Sequence, residues 1–350
     1  MSKKTFDFAQ ALLTWFDSHG RKNLPWQKPI TPYRVWLSEI MLQQTQVETV
    51  IPYFERFLEN FPSIDKLASA KQDDVLHLWT GLGYYARARN LHKCAQVVME
   101  QYKGTFPKKL EQLVELPGIG PSTAAAIASI AFKKPTAILD GNVKRVLARF
   151  HAIDTWPGDS KTTKILWAHA DEHMPKERCA DYTQAIMDLG ATLCTRSKPQ
   201  CNICPMHTPC QARIQNRTAE LPKRKPAKAK PTKHTQMLII LNTHGSILLE
   251  QRPQTGIWGG LWSLPELHTD KDALEHVSQT YGDVLSCRPH KEIKHVFSHY
   301  TLKIAPISLQ LKQSINIVCE GKQALWYSLE EPQRLGLAAP VKKLLESMAE

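Results

Sequence analysis

Cys194, Cys201, Cys204 and Cys210 fall within 17 residues in the pattern C-x6-C-x2-C-x5-C. Thiolates so spaced hold metal, either one zinc ion or an iron–sulfur cluster. A disulfide framework belongs to small secreted domains, and a chain of 350 residues is not one. Cys94, Cys179, Cys287 and Cys319 are scattered and read as buried or idle thiols. The metal reading implies a reducing compartment.

Two carboxylates have contrasting local settings. Asp140, in ILDGNVKR (138–145), directly precedes a helical stripe of Val143, Val146, Leu147 and Phe150. A helix N-terminus favours its anion, and the plainest reading is a helix cap. Glu39 lies within a helical pattern from Thr31-Pro32, an N-cap followed by proline, to about Glu48. Val35 and Leu42 are its same-face neighbours, so enclosure of that face would raise its pKa toward that of a general acid. The plainer alternative is an ordinary, partly exposed helix residue. One carboxyl held protonated near another held ionised suits cleavage of a glycosidic-type bond, where the leaving group takes a proton and positive charge develops behind it.

A third feature is the string LPGIGPSTA (116–124) between two helical segments. Gly118 and Gly120 allow a tight turn and a close approach by a partner, and the helix that follows offers free N–H groups to a phosphate oxygen. Ser122 and Thr123 open that helix. WTGLGY (79–84) is a less typical copy of the same turn.

The elements that must position these residues are helical from Phe6 to about Gln215, with Pro and Gly at the breaks. Residues 222–233, PKRKPAKAKPTK, hold six basic residues, three prolines and no acid, which describes a semi-extended linker. Beyond it, 237–241, 247–249 and 324–327 are short apolar runs, and Tyr300, Leu302 and Ile304 alternate as a half-buried strand does. Val341, Leu344, Leu345 and Met348 form a closing helix stripe. These patterns predict an all-α domain over 1–217, a basic linker over 218–235 and a smaller α+β domain over 236–350. No internal repeat stands out.

The formal charge is +12, and the linker carries half of it. That excess favours polyanionic partners, nucleic acid before an acidic membrane surface. At 42% hydrophobic residues the chain is globular. The uncharged run 116–132 is too short to span a bilayer once its Pro and Gly are discounted, and Asp7, Gln10, Thr14 and Asp17 interrupt any signal-peptide core. A cytoplasmic monomer is expected.

Taken with the hairpin string, the cysteine pattern resembles the 4Fe-4S loop of the helix-hairpin-helix base-excision DNA glycosylases, the superfamily that includes endonuclease III. LPW (24–26), WLSEIMLQQTQ (36–46), GLGYYARAR (81–89) and LDGN (139–142) resemble the MutY family of adenine DNA glycosylases over nearly the whole chain. The resemblance implies one 4Fe-4S cluster per chain on the four cysteines, structural in role, with Arg196 and Lys198 presented to phosphate. It implies a double-stranded DNA substrate carrying adenine opposite 8-oxoguanine or guanine, with the adenine flipped out of the duplex. Glu39 would protonate that adenine at N7, and Asp140 would stabilise the oxocarbenium or attack it transiently. Asn142 would orient Asp140, and Gln184 would meet the adenine edge. Trp26, Leu42 and Gln43 would line the pocket, while Gln44 and Tyr84 would wedge the duplex. Gly118, Gly120, Ser122 and Thr123 would hold the DNA backbone. Bifunctional relatives carry a lysine where this chain has Ser122, so base removal without efficient strand cleavage is expected, save for a little Schiff base at Lys144.

In the C-terminal part, Gly260 to Glu266 fits the G-x5-E opening of a Nudix box, but LEHVSQ (274–279) lacks the arginine, and Ser278 and Gln279 replace the metal-binding glutamates. The resemblance implies a Nudix-like domain that senses 8-oxoguanine through Phe297, Ser298 and His299. Three rivals are an endonuclease III-like glycosylase/lyase, a non-catalytic iron–sulfur DNA-binding protein and a magnesium-dependent nucleotide pyrophosphatase.

Overall fold

A computed structural model of the chain describes residues 6–225, 229–313 and 323–349. Cys319 and part of the expected linker, 226–228, lie outside the described residues. The chain divides into two compact units: residues 1–69 with 90–227, and residues 70–89 with 228–350. Segment 70–89 therefore clusters with the C-terminal unit, which differs from a first domain running unbroken over 1–217. Its contacts give the reason: the Trp262 indole donates to Asp73 at 3.3 Å, and His77 Nδ1 lies 3.2 Å from the Leu335 carbonyl.

The first unit is helical. Phe8, Leu12, Leu13 and Phe16 of the Phe8–His19 helix recur at helical spacing and are buried. They pack with Val143, Val146, Leu147 and Phe150 of the Gly141–Phe150 helix, and with Tyr182, Ile186 and Leu189. Cys194, Cys204 and Cys210 rest against the same core. At roughly 1.5–3 kcal/mol per fully buried large apolar side chain, this cluster fixes the Gly141–Phe150 helix in place.

The expected helix from Thr31 to Glu48 is two. The first, Pro32–Leu42, starts as expected, with the Thr31 side chain accepting from Arg34 N; the second is Val47–Asn60. Gln44 takes a φ of +59° between them, so the backbone turns where the apolar periodicity runs on. The LPGIGPSTA string forms the corner between Leu110–Val114 and Pro121–Ile130. Gly118 is required there twice over: its φ is +77°, and a Cβ would stand 2.8 Å from Asn90 Cβ.

The second unit is an α+β sheet domain. Strands β1 (Thr232–Leu241), β2 (Ile247–Gln251), β3 (Trp262–Ser263), β4 (Glu266–Leu267), β5 (Val284–Pro289), β6 (Ile293–Val296), β7 (Thr301–Leu311) and β8 (Ala324–Tyr327) form one sheet. Its central path is β3-β2-β1-β7-β5, with β1 and β7 parallel and their neighbours antiparallel. Ala273, Val277 and Tyr281 of the Ala273–Tyr281 helix cover Leu238, Ile240, Leu248 and Leu309 on one face. β1 opens at Thr232, inside the stretch read as linker, because Thr232 and Lys233 pair with Thr301 and Leu302. Among the described residues, no helix is long and apolar enough to cross a membrane.

Candidate active site and cysteine loop

Glu39 and Asp140 line one cleft of about 1020 Å³ in the first unit. Trp26, Leu42, Gln43 and Gln44 line it too, as do Ser122, Thr123, Asn142 and Gln184. Trp26 is buried edge-on against Phe54, with ring centroids 5.4 Å apart. Gln43 Nε2 reaches Thr123 Oγ1 at 3.5 Å, while Gln44 is exposed.

Asp140 caps the Gly141–Phe150 helix: its Oδ1 accepts from Val143 N at 2.7 Å and its Oδ2 from Asn142 Nδ2 at 3.3 Å. Those bonds favour the anion, but burial is the larger influence and raises the Asp140 pKa above the usual carboxylate value; Arg145 also opposes the rise. The cap alone predicts an unopposed anion, so the walls of the cleft change the balance. For Glu39, burial pushes the pKa up to about 8, and the Asp140 charge adds to the shift. The charge of Asp140 thus adds to burial in keeping Glu39 protonated.

Asn142 is itself held. Arg145 donates from Nη2 to Asn142 Oδ1 at 2.7 Å and to the Gly190 carbonyl at 2.7 Å, and from Nε to the Cys194 carbonyl at 2.7 Å. One turn on, the buried Arg149 donates to the Thr195 carbonyl at 2.7 Å, the Leu221 carbonyl at 2.8 Å and Cys194 Sγ at 3.3 Å. The helix that begins at Asp140 thus fastens the cysteine loop. Neither arginine stands out in the sequence, because the backbone carbonyls they hold in the loop and beyond lie 45 to 72 residues away; the local signal is their four-residue spacing.

The four cysteines line a small cavity of about 30 Å³ with Val146, Leu189 and Leu193. Among the described residues no three His, Cys, Asp or Glu side chains are grouped to hold a single metal ion. Four thiols around one largely apolar cavity, braced by a buried guanidinium, are a donor set that suits a thiolate-held metal group. Burial pushes Cys204 up to about 12 and raises Cys210, so loading with metal must displace protons.

The hairpin glycines differ. Gly120, the N-cap of Pro121–Ile130, has a φ of −85° and open space where a Cβ would point, so nothing among the described residues demands glycine there. Ser122 Oγ accepts from Leu139 N at 3.1 Å, tying the hairpin helix to the segment that ends in Asp140.

The remaining candidates lie in the second unit. Tyr84 is exposed, with a φ of +48°, and the Arg87 guanidinium lies 5.5 Å from its ring. Phe297, Ser298 and His299 form the turn between β6 and β7, closed by Phe297 N donating to the Tyr300 carbonyl at 2.9 Å. Ser298 Oγ lies 3.4 Å from His299 Nδ1 and is exposed. Phe297 packs with Trp258, His295 and Tyr300. Of the altered Nudix box, Glu266 is bound by Arg252 at 2.5 Å, and Gln279 donates to Glu275 at 3.1 Å. Cys94 and Cys179 are buried, whereas Cys287 is exposed.

Comparison with known proteins accounts for both units. Residues 37–171 match the family described as HhH-GPD superfamily base excision DNA repair protein, and residues 236–347 match the NUDIX domain. An adenine DNA glycosylase of Buchnera aphidicola subsp. Acyrthosiphon pisum (strain APS) is 40% identical over 97% of each chain. One from Homo sapiens is 33% identical over 96% of this chain and 73% of its own. Among solved structures, a thermostable thymine-DNA glycosylase is 27% identical with a TM-score of 0.55, over 59% of this chain and 95% of its own. The endonuclease III of a non-covalent DNA complex shares the fold, at 22% identity and a TM-score of 0.51, over 59% of this chain and 94% of its own. This chain belongs to the adenine DNA glycosylases, base-excision repair enzymes of the helix-hairpin-helix superfamily.

Proposed function

We propose that the enzyme removes adenine paired with 8-oxoguanine or guanine from double-stranded DNA, with Glu39 as general acid and Asp140 as the stabilising anion. The observation that carries this reading is the pair itself: two carboxyls in one cleft, one held protonated up to about pH 8 and the other capped by amides. A flipped adenine would enter the cleft, Glu39 would protonate N7, and the C1′–N9 bond would break with its electrons going to the base. Asp140, held by Asn142, would face the developing oxocarbenium until water adds at C1′.

Cys194, Cys201, Cys204 and Cys210 would hold a 4Fe-4S cluster, which when bound would supply a rigid loop rather than reaction chemistry, with Arg196 and Lys198 presented to phosphate. Gly120, Ser122 and Thr123 at the hairpin helix N-terminus would bind backbone phosphate, and the open space at Gly120 supports a close approach. Gln44 and Tyr84 would wedge the duplex, and Phe297, Ser298 and His299 would meet the damaged base. With Ser122 in place of an amine, base removal leaves the strand largely intact.

The test is product analysis on a duplex with adenine opposite 8-oxoguanine. Free adenine and an alkali-labile, uncleaved strand are expected, with at most a trace of borohydride-trapped adduct, lost in Lys144→Ala. Strand cleavage as fast as base release would instead favour a lyase.

A further inference from the structure

We infer that Asp188 is a specificity-positioning residue: it locks the Gln184 amide so that its carbonyl oxygen, and not its NH2, faces the base. The inference rests on the reading above that Gln184 meets the adenine edge. Asp188 is fully buried and sits four residues after Gln184 in the Cys179–Asp188 helix, on the same face. Its Oδ1 accepts from Arg21 Nε at 2.9 Å, Arg21 Nη2 at 2.7 Å and Gln184 Nε2 at 2.9 Å; its Oδ2 accepts from Arg21 N at 2.8 Å. Arg21 is held in turn, because Gln27 Nε2 donates to its carbonyl at 2.8 Å while Gln27 Oε1 accepts from Leu24 N at 2.9 Å.

A carboxylate bonded to a guanidinium offers acceptors only, so Gln184 can satisfy it only with its NH2 end. A flipped amide would set Oε1 against the buried Asp188 carboxylate, acceptor facing acceptor. Gln184 lines the cleft, and Oε1 has no hydrogen-bond partner among the described residues. The cleft wall therefore presents a fixed acceptor. The exocyclic amine at C6 is the only hydrogen-bond donor that the adenine of a nucleotide carries. Hypoxanthine has an acceptor at that position, which would meet Oε1 lone pair to lone pair.

Single-turnover release of adenine and of hypoxanthine, each opposite 8-oxoguanine, reads this out as a ratio, and the intrinsic leaving ability of the two bases cancels between variants. Gln184→Leu should collapse the ratio; if it does not, Gln184 does not meet the base and the reading beneath the proposal fails. Asp188→Leu frees the amide to turn and should lower the ratio by about tenfold, the worth of one hydrogen bond at a desolvated site. A collapse in Gln184→Leu with no change in Asp188→Leu would overturn the role of Asp188 alone. Because Asp188→Leu orphans Arg21, the double variant Asp188→Leu with Gln184→Glu is the second arm: it returns a carboxylate to Arg21 and fixes an acceptor chemically. Its ratio should lie within about threefold of wild type. A ratio tenfold above wild type would mean that the native amide turns freely, which contradicts the proposal.

Discussion

Asn142 Oδ1 accepts from Arg145 Nη2 at 2.7 Å, while the same guanidinium holds the Cys194 carbonyl at 2.7 Å. One side chain thus connects Asn142, which donates to Asp140 at 3.3 Å, to the first cysteine of the cysteine loop. Burial of the Arg145 charge is offset by three carbonyl-type acceptors in good geometry. A planar fork can serve all three at once, which a lysine ammonium cannot.

Replacing Arg145 with methionine should slow base release by about 10–100-fold, the usual cost of removing a residue that orients a reacting group. Asp140 also loses an opposing charge, so its pKa should rise further and the acid limb of the pH–rate profile should move to higher pH. A rate loss with an unmoved acid limb would mean that Arg145 acts on folding alone.

Above its acid limb, base release should hold level as pH approaches 8 and fall beyond it, because Glu39 must carry its proton and burial pushes its pKa up to about 8. The same shift acts on stability. The folded state binds this proton more tightly than the unfolded chain, whose carboxyl has the ordinary value of 4.5, so stability is lost as pH rises from about 4.5 to about 8. Glu39→Gln should remove that loss and raise the Tm at pH 8, while base release falls by at least about 100-fold.

Gly120→Ala tests the phosphate contact. Since the φ is negative and nothing lies within 4 Å of the added Cβ, folding should weaken by no more than about 1 kcal/mol, the cost of a poorer N-cap. Affinity for undamaged duplex should fall by about tenfold, equivalent to about 1.4 kcal/mol. Unchanged affinity would remove Gly120 from the interface.

Much of this was readable because it is local. Asp140 precedes the helix it caps, Thr31 does the same for Pro32–Leu42, and the cysteines lie close together in sequence. What could not be read depends on distance. Arg149 meets Leu221, Arg21 meets Asp188, and residues 70–89 join a unit whose other part begins at 228. Gln44 breaks an apolar periodicity that by itself continues to Glu48, since its left-handed backbone serves a turn and not a helix face. The net rise of the Asp140 pKa was hidden for the same reason: the cap is local, whereas the burial comes from residues far along the chain.

Ser298→Ala should lower the preference for adenine opposite 8-oxoguanine over adenine opposite guanine by a few-fold, one neutral hydrogen bond being worth about 1 kcal/mol. Ser298 is exposed on the β6–β7 turn, so its loss should not disturb the aromatic cluster beneath it. An unchanged preference would exclude its hydroxyl from recognition of the damaged base.

The most direct test of the central claim is single-turnover release of adenine opposite 8-oxoguanine by wild type and Asp140→Asn. Asparagine keeps the side-chain oxygen that accepts from Val143 and so preserves the cap, while removing the charge. The account predicts ready release by wild type and a rate at least about 100-fold lower for Asp140→Asn, with duplex binding retained. Full activity in the variant, or no adenine released by wild type, would contradict it.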